Sequence, residues 1–184
     1  MSARKDITDL QRKQLRHDEG YHQDILVLDT ARRARHMTFH NAKYSGRFIA
    51  ATEDGDENLF LRTLIDAFII SLATANIFAQ NLAAELNADS PTLSELGTEL
   101  ADAYNEEGSF TRIYASLAGE MAKACESLDH LEDFPFRATL TGCNAAIFNA
   151  LLVEASIRQI DIHAAYAARI AEVEAASPRR LFQE

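Results

Sequence analysis

Apolar residues recur at helical spacing along most of the chain, and two segments are apolar on nearly every side. These segments span about residues 58–86 and 136–158. A helix that is apolar all round is normally buried inside a protein, so we predict that these two form the centre of a bundle. β-branched residues occur only in short runs, which predict no strand. The expected fold class is therefore all-α, a multi-helix bundle of six or seven helices in one domain, residues 1–184.

Turn and capping signals delimit the other predicted helices. The segment EDGDEN, residues 53–58, is the clearest turn. Residues that favour helix N-caps or capping boxes stand before several apolar patterns: Asp29 or Thr30, Thr92 with Glu95, Ser109, and Asp161. The remaining helices are then predicted over about residues 7–28, 30–52, 92–104, 109–132 and 161–176.

A faint internal repeat relates the two halves of the chain at an offset of 80 residues. HNAK at residues 40–43 aligns with EMAK at 120–123, and the segment LATANIFAQNLAAEL, residues 72–86, aligns with the segment that begins at Leu152. Each half is then a helical hairpin that cannot bury its apolar face alone. This predicts an internal pseudo-dimer with halves 1–88 and 89–178, although two unrelated amphipathic hairpins can align equally well.

The charge balance limits the classes of partner. The formal net charge of −10 repels a nucleic-acid backbone, so we expect no nucleic-acid polymer as a partner. A phosphorylated small molecule or nucleotide remains compatible, because a local basic patch or a bound cation is enough to hold it. The oligomeric state is open, and a homo-oligomer is one of the options.

The chain also carries signals about its location. Its first residues contain no apolar run of the kind found in a secretion signal. The longest apolar stretch, about residues 67–79, is interrupted by polar residues and is shorter than the roughly 20 residues of a membrane span. Cys125 and Cys143 lie in apolar helical context, which is typical of reduced core thiols. We therefore expect a cytoplasmic protein without a membrane partner.

The predicted helix over residues 30–52 carries a row of basic side chains, which we call the basic stripe: His36, His40, Lys43 and Arg47. Their i, i+4, i+7, i+11 spacing places them along one side of the helix. The stripe either faces solvent or lines a cleft, where its members would donate to phosphate oxygens. His36 and His40 are also spaced to share one metal ion.

Asp66 is the carboxylate that stands out, because it lies within the apolar segment LIDAFII. Burial of a carboxylate is costly unless it is paired or bound to a metal. We predict a mostly buried Asp66 that contacts either Arg62, four residues earlier, or a member of the basic stripe. Further acidic residues, among them Glu99, Asp102 and Glu120, either chelate Mg²⁺ or form a solvated acidic surface.

The segment LIDAFIISLATANIFAQNLAAEL resembles the third core helix of the MazG-like all-α nucleoside triphosphate pyrophosphohydrolases. Asp66 matches the Asp that opens this helix in the family, and the resemblance covers about residues 31–86, with a fainter echo over 114–169. The basic stripe occupies the place of the family's metal-binding helix. Here His40 and Lys43 stand where the family has paired carboxylates, and Thr63 replaces a Glu.

The resemblance implies a Mg²⁺-dependent hydrolase of nucleotides or a close relative. Asp66 would then be catalytic, Asp66 and Glu120 would be the metal ligands, and the basic stripe would bind the phosphorylated molecule. A carboxylate beside imidazoles favours their charged form, so affinity for phosphate should rise as the pH falls toward 6.

Two alternatives remain open. The first is a non-catalytic helical protein for binding or assembly that retains the fold, which the missing carboxylates favour. The second is a His-metal helical bundle of the DinB type, which would use His36 and His40 with His17 or His22.

Overall fold

The computed structural model describes residues 2–103 and 109–176, and these ranges contain nine helices and no strand. The all-α fold class is therefore confirmed. Seven helices have eleven or more residues and two have only four. In chain order the helices are α1 Ala3–Tyr21, α2 Gln23–Leu26, α3 Thr30–Asp54, α4 Glu57–Ile77, α5 Leu82–Glu85, α6 Leu93–Ala103, α7 Phe110–Asp129, α8 Phe136–Ile157 and α9 Ile162–Ala176.

The predicted capping residues start their helices as the sequence indicates. The side chain of Asp29 accepts a hydrogen bond from the Arg32 amide at the start of α3. Thr92 and Glu95 form a capping box, in which the Glu95 amide donates to the Thr92 hydroxyl over 3.1 Å. These contacts satisfy amides that have no partner within the first turn of a helix.

Two predicted helices are shorter than expected. The first ends at Tyr21 and resumes as α2 after His22, and the central helix predicted over residues 58–86 ends at Ile77. Its end is a left-handed turn: Ala79 has φ 51°, and the Gln80 amide donates to the Ala75 carbonyl over 2.9 Å. Positive φ is uncommon for alanine, and no glycine stands at this turn, so the apolar pattern does not reveal the break.

The core is made by two long hairpins. Hairpin α3–α4 packs against hairpin α7–α8, α1 and α9 cover α4, and α6 covers α8. Phe68 of α4 and Phe148 of α8 stack at the centre, with ring centroids 5.0 Å apart and both side chains fully buried. The predicted central position of these two helices agrees with this packing.

The internal repeat extends to backbone details. The turn after α8 repeats the one after α4: Gln159 has φ 57°, and the Ile160 amide donates to the Ala155 carbonyl over 2.8 Å, each 80 residues after its counterpart. Phe68 and Phe148 are also 80 residues apart and in direct contact. In a twofold arrangement equivalent residues meet only near the axis. The superposition of residues 31–86 on 111–166 stays a prediction.

Helices α4 and α8 are each long and apolar enough, by length and composition alone, to cross a membrane. More than half of each apolar window is buried against the other helices. A bundle core has the same requirement for apolar side chains as a bilayer, so this feature does not distinguish the two environments. The cytoplasmic location stays an expectation.

The stacked rings at the core give the first prediction. Phe68→Ala should lower the free energy of unfolding by roughly 3–5 kcal/mol, because it leaves a cavity at a fully buried contact between the hairpins. Phe39→Ala is the matched control, since that ring is 70% exposed and its loss should change stability by less than about 0.5 kcal/mol. Urea unfolding measures both, and equal effects would contradict the assigned packing.

Candidate functional site

A cavity of about 360 Å³ opens between α1, α2, α3, α4 and α9. Its polar lining is dominated by groups that carry or accept positive charge, and its floor is apolar and belongs largely to α4. The lining includes four histidines, four permanent cations and two carboxylates: His17, His22, His36, His40; Arg33, Lys43, Arg47, Arg169; Asp18 and Asp66.

All four residues of the basic stripe line this cavity. His36 and His40 are half-buried, and their Nε2 atoms lie 3.2 Å apart, within hydrogen-bonding distance. Lys43 Nζ lies 3.1 Å from His40 Nδ1, and both Lys43 and Arg47 are exposed at the rim. The stripe therefore lies along a cleft, with imidazoles inside and fixed charges at the entrance.

Asp66 is 12% exposed and binds Arg169 of α9. Arg169 Nε donates to Asp66 Oδ1 over 2.7 Å, and Nη2 lies 3.5 Å from Oδ2. Arg47 of the basic stripe is 4.0 Å from Oδ2. The predicted burial and the contact with the stripe are confirmed, but Arg62 is not the partner: it binds Glu172 instead. Nothing in the local sequence pointed to Arg169, which is 103 residues away along the chain.

Glu120, the other predicted metal ligand, lies outside this cavity. It is exposed on α7, where it accepts a weak hydrogen bond from Cys143 Sγ at 3.8 Å. Burial, together with the charge of Glu120, raises the pKa of Cys143 to about 11, so the thiol stays protonated. The structure thus does not bring Glu120 and Asp66 together.

Glu99, another of the predicted acidic candidates, has a partner within the protein. It accepts a hydrogen bond from the Ser90 hydroxyl over 2.6 Å.

A second polar group lies at the end of α1. The potential ligand atoms of His17, Asp18 and His22 are all within 4.8 Å of one another. Sequence reasoning raised His17 and His22 only as companions of His36 and His40, and it missed Asp18. The three residues lie within the string HDEGYH, where they could have been noticed. Their side chains come close together because α1 ends at Tyr21 and the chain turns at His22.

Burial determines the charge of the cavity histidines. It lowers the pKa of His40 to about 4, and the positive charges of Lys43, His36 and His22 act in the same direction. Asp66 opposes this shift, but its contribution is the smallest. Burial also lowers the pKa of His22. The expectation that Asp66 charges the imidazoles near pH 6 is therefore wrong for His40, which is neutral there.

The surroundings of Asp66 do not suit Mg²⁺. That ion prefers several oxygen ligands in an octahedron, usually with more than one carboxylate or phosphate. Here both Asp66 oxygens face the guanidinium of Arg169, and Arg47 lies next to them. Two positive groups around one carboxylate favour an anion at this place, not a cation.

Scans against protein-family models find no match to this chain, and searches of curated proteins and of solved structures return no significant match. The MazG-like resemblance therefore stays a prediction that rests on the residues of the two hairpin segments.

The Asp66–Arg169 pair yields a stability prediction. Arg169→Ala leaves the carboxylate of Asp66 largely buried beside only a distant Arg47, which should lower the free energy of unfolding by roughly 2–3 kcal/mol. Arg62→Ala removes an exposed pair with Glu172 and should cost less than about 1 kcal/mol. Chemical denaturation compares the two, and an Arg169→Ala variant as stable as Arg62→Ala would show that the pair does not hold α9 on α4.

The lowered pKa of His40 predicts a loss of stability in acid. The unfolded chain, with an ordinary histidine pKa of 6.5, takes up a proton that the folded chain resists until about pH 4, so stability falls as the pH falls through this window. His40→Gln should flatten the pH dependence of the urea midpoint between pH 7.5 and 5. His163→Gln, at an exposed position on α9, should leave the wild-type slope unchanged. Identical slopes in all three proteins would contradict the assigned burial.

Proposed function

We propose that this chain binds a small phosphorylated molecule or nucleotide in the cavity between α1, α3, α4 and α9. The observation that carries the proposal is the convergence of Arg33, Lys43, Arg47 and Arg169 on one cavity in a protein of net charge −10. In such a chain an isolated basic cluster attracts and retains anions that the rest of the surface repels. The proposal makes binding the function and assigns no catalytic step.

Unused hydrogen-bond donors support an anionic ligand. Arg33 Nε is buried and has no hydrogen-bond partner among the described residues. Among residues 2–103 and 109–176, Arg47 has a single carboxylate neighbour, Asp66 at 4.0 Å, and Lys43 Nζ contacts only the neutral ring of His40 and the face of Tyr44. A buried donor without a partner is costly, and phosphate oxygens accept strong charge-assisted hydrogen bonds from arginine and lysine.

The remainder of the cavity suits the non-phosphate part of such a ligand. Ile69, Ile70, Ala73 and Ile77 of α4 provide an apolar floor. A volume of about 360 Å³ lies within the roughly 300–1,000 Å³ of small-molecule sites, which are mostly apolar with a few convergent polar groups. A phosphate at the rim and a base or other apolar group on the floor would use both parts of the cavity.

Hydrolysis of a nucleoside triphosphate is the second candidate function. Its support is the position of Asp66 in the cavity wall, at the place that the MazG-like resemblance makes catalytic. The pairing of Asp66 with Arg169 and the position of Glu120 outside the cavity favour binding without turnover. Both candidates share the same ligand class, so one set of variants can test them.

Binding is tested by calorimetry with nucleoside triphosphates and, for comparison, the same nucleosides without phosphate. Lys43→Ala and Arg47→Ala should each weaken binding of the triphosphate by about tenfold to a hundredfold, because a hydrogen bond to a charged group contributes roughly 1.5–3 kcal/mol. Lys123→Ala is the matched control, since this exposed lysine of α7 pairs with Glu126 outside the cavity. Affinity that does not depend on the phosphates, or that is equal in the three variants, would refute the proposal.

Turnover is tested by pyrophosphate release from the same triphosphates in Mg²⁺ and in Mn²⁺. The binding proposal predicts no release above that of buffer. Release that is lost in Asp66→Asn while binding persists would establish the hydrolase instead, because a catalytic carboxylate affects turnover more than ligand affinity.

A further inference from the structure

We propose that His17, Asp18 and His22 form a binding site for one divalent transition-metal ion at the α1 end of the cavity. This site is separate from the anion site at the basic stripe, and its existence does not depend on that proposal. Two imidazoles and one carboxylate whose ligand atoms lie within 4.8 Å of one another can reach a single ion.

The surroundings of His17 select its ligand atom. Its ring is buried, and Nδ1 lies 3.0 Å from Glu174 Oε1 on α9. A carboxylate at that distance accepts a hydrogen bond from Nδ1–H, which keeps the ring proton on Nδ1 and leaves the lone pair of Nε2 for an ion. A carboxylate behind a histidine ligand is the usual partner in metal sites, because it fixes the ring and increases its basicity.

Asp18 is also oriented by a hydrogen-bonded partner. Gln14 Nε2 donates to Asp18 Oδ1 over 2.8 Å, and the Tyr166 hydroxyl donates to Gln14 Oε1 over 3.0 Å. Gln14 and Tyr166 are both buried, so these two hydrogen bonds restrict the position of the Asp18 carboxylate. It leaves Oδ2 of Asp18 available as a ligand. Two of the three ligands are thus oriented by buried or semi-buried partners.

The ligand set selects the kind of ion. Imidazole nitrogen with a single carboxylate suits Zn²⁺, Fe²⁺, Co²⁺ or Mn²⁺, whereas Mg²⁺ and Ca²⁺ require mostly oxygen ligands. Asp18 and Glu174 together carry two negative charges, which match the charge of the ion. Three protein ligands leave at least one coordination position open, and it can be reached from the cavity because all three residues line it.

The histidines of the basic stripe are a poorer site. The Nε2 atoms of His36 and His40 lie 3.2 Å apart, and an ion between them would have to replace the hydrogen bond that one ring donates to the other. Lys43 lies 3.1 Å from the other ring nitrogen of His40, which places a positive charge where a cation would have to bind. The His-metal alternative therefore moves to the residues of α1.

The test is a titration of chelator-treated protein with Zn²⁺ by calorimetry and with Co²⁺ by visible absorption. We expect one ion per chain. His17→Gln, Asp18→Asn and His22→Gln should each weaken binding at least tenfold, and Glu174→Gln about tenfold through its effect on His17. His163→Gln and the double variant His36→Gln/His40→Gln are the controls and should bind as the wild type does.

Folding of each variant is checked by circular dichroism without metal. Glu174 is partly exposed, so its substitution tests the site even if a change at buried His17 prevents folding. Wild-type affinity in folded Asp18→Asn and Glu174→Gln, or loss of binding in His36→Gln/His40→Gln alone, would overturn the proposal. No binding of Zn²⁺ or Co²⁺ to the wild-type protein would do so as well.

Discussion

Two helices, α4 and α8, are apolar on nearly all sides, and the burial of both is the constraint on which the other features depend. Each must be covered around its whole circumference, which neither its own hairpin partner nor the other hairpin can do alone. Helices α1 and α9 complete the cover of α4, and α6 completes that of α8. The cavity lies where α4 is not covered by other helices. Its floor is apolar because α4 is apolar, and its walls are polar because α1, α3 and α9 contribute charged and polar side chains to them.

The ion pair between Asp66 and Arg169 connects this packing to the chemistry of the cavity. It links α9 to α4 at a position where burial of an unpaired carboxylate would be costly. It also removes Asp66 from the set of available metal ligands and leaves the cations of the basic stripe only weakly neutralised, because Arg169 binds both Asp66 oxygens and Arg47 is 4.0 Å away. The same contact therefore stabilises the fold and makes this end of the cavity attractive to anions, while the α1 end, with Asp18 and Glu174, has the opposite character.

The sequence allowed prediction of the all-α class, the two central helices and several caps, because these depend on local spacing and on hydrophobic periodicity. It also placed His36, His40, Lys43 and Arg47 on one side of a helix. It did not reveal Arg169 as the partner of Asp66, which requires knowledge of how α9 packs on α4. The break after Ile77 was missed because no glycine or proline marks it, and the break after Tyr21 was missed although Gly20 stands directly before it. The group at His17 was missed because this first break creates it.

The central claim is that the cavity attracts phosphate groups, and its histidines allow a direct measurement. Four of the six histidines of the chain line the cavity, and His130 and His163 are exposed elsewhere. Titration with inorganic pyrophosphate, followed by NMR of the imidazole resonances in metal-free protein, reports where the anion binds. The account predicts saturable shifts of the His36 and His40 signals with the signals of His130 and His163 unchanged. Unchanged signals from His36 and His40, or equal shifts at all six rings, would contradict it.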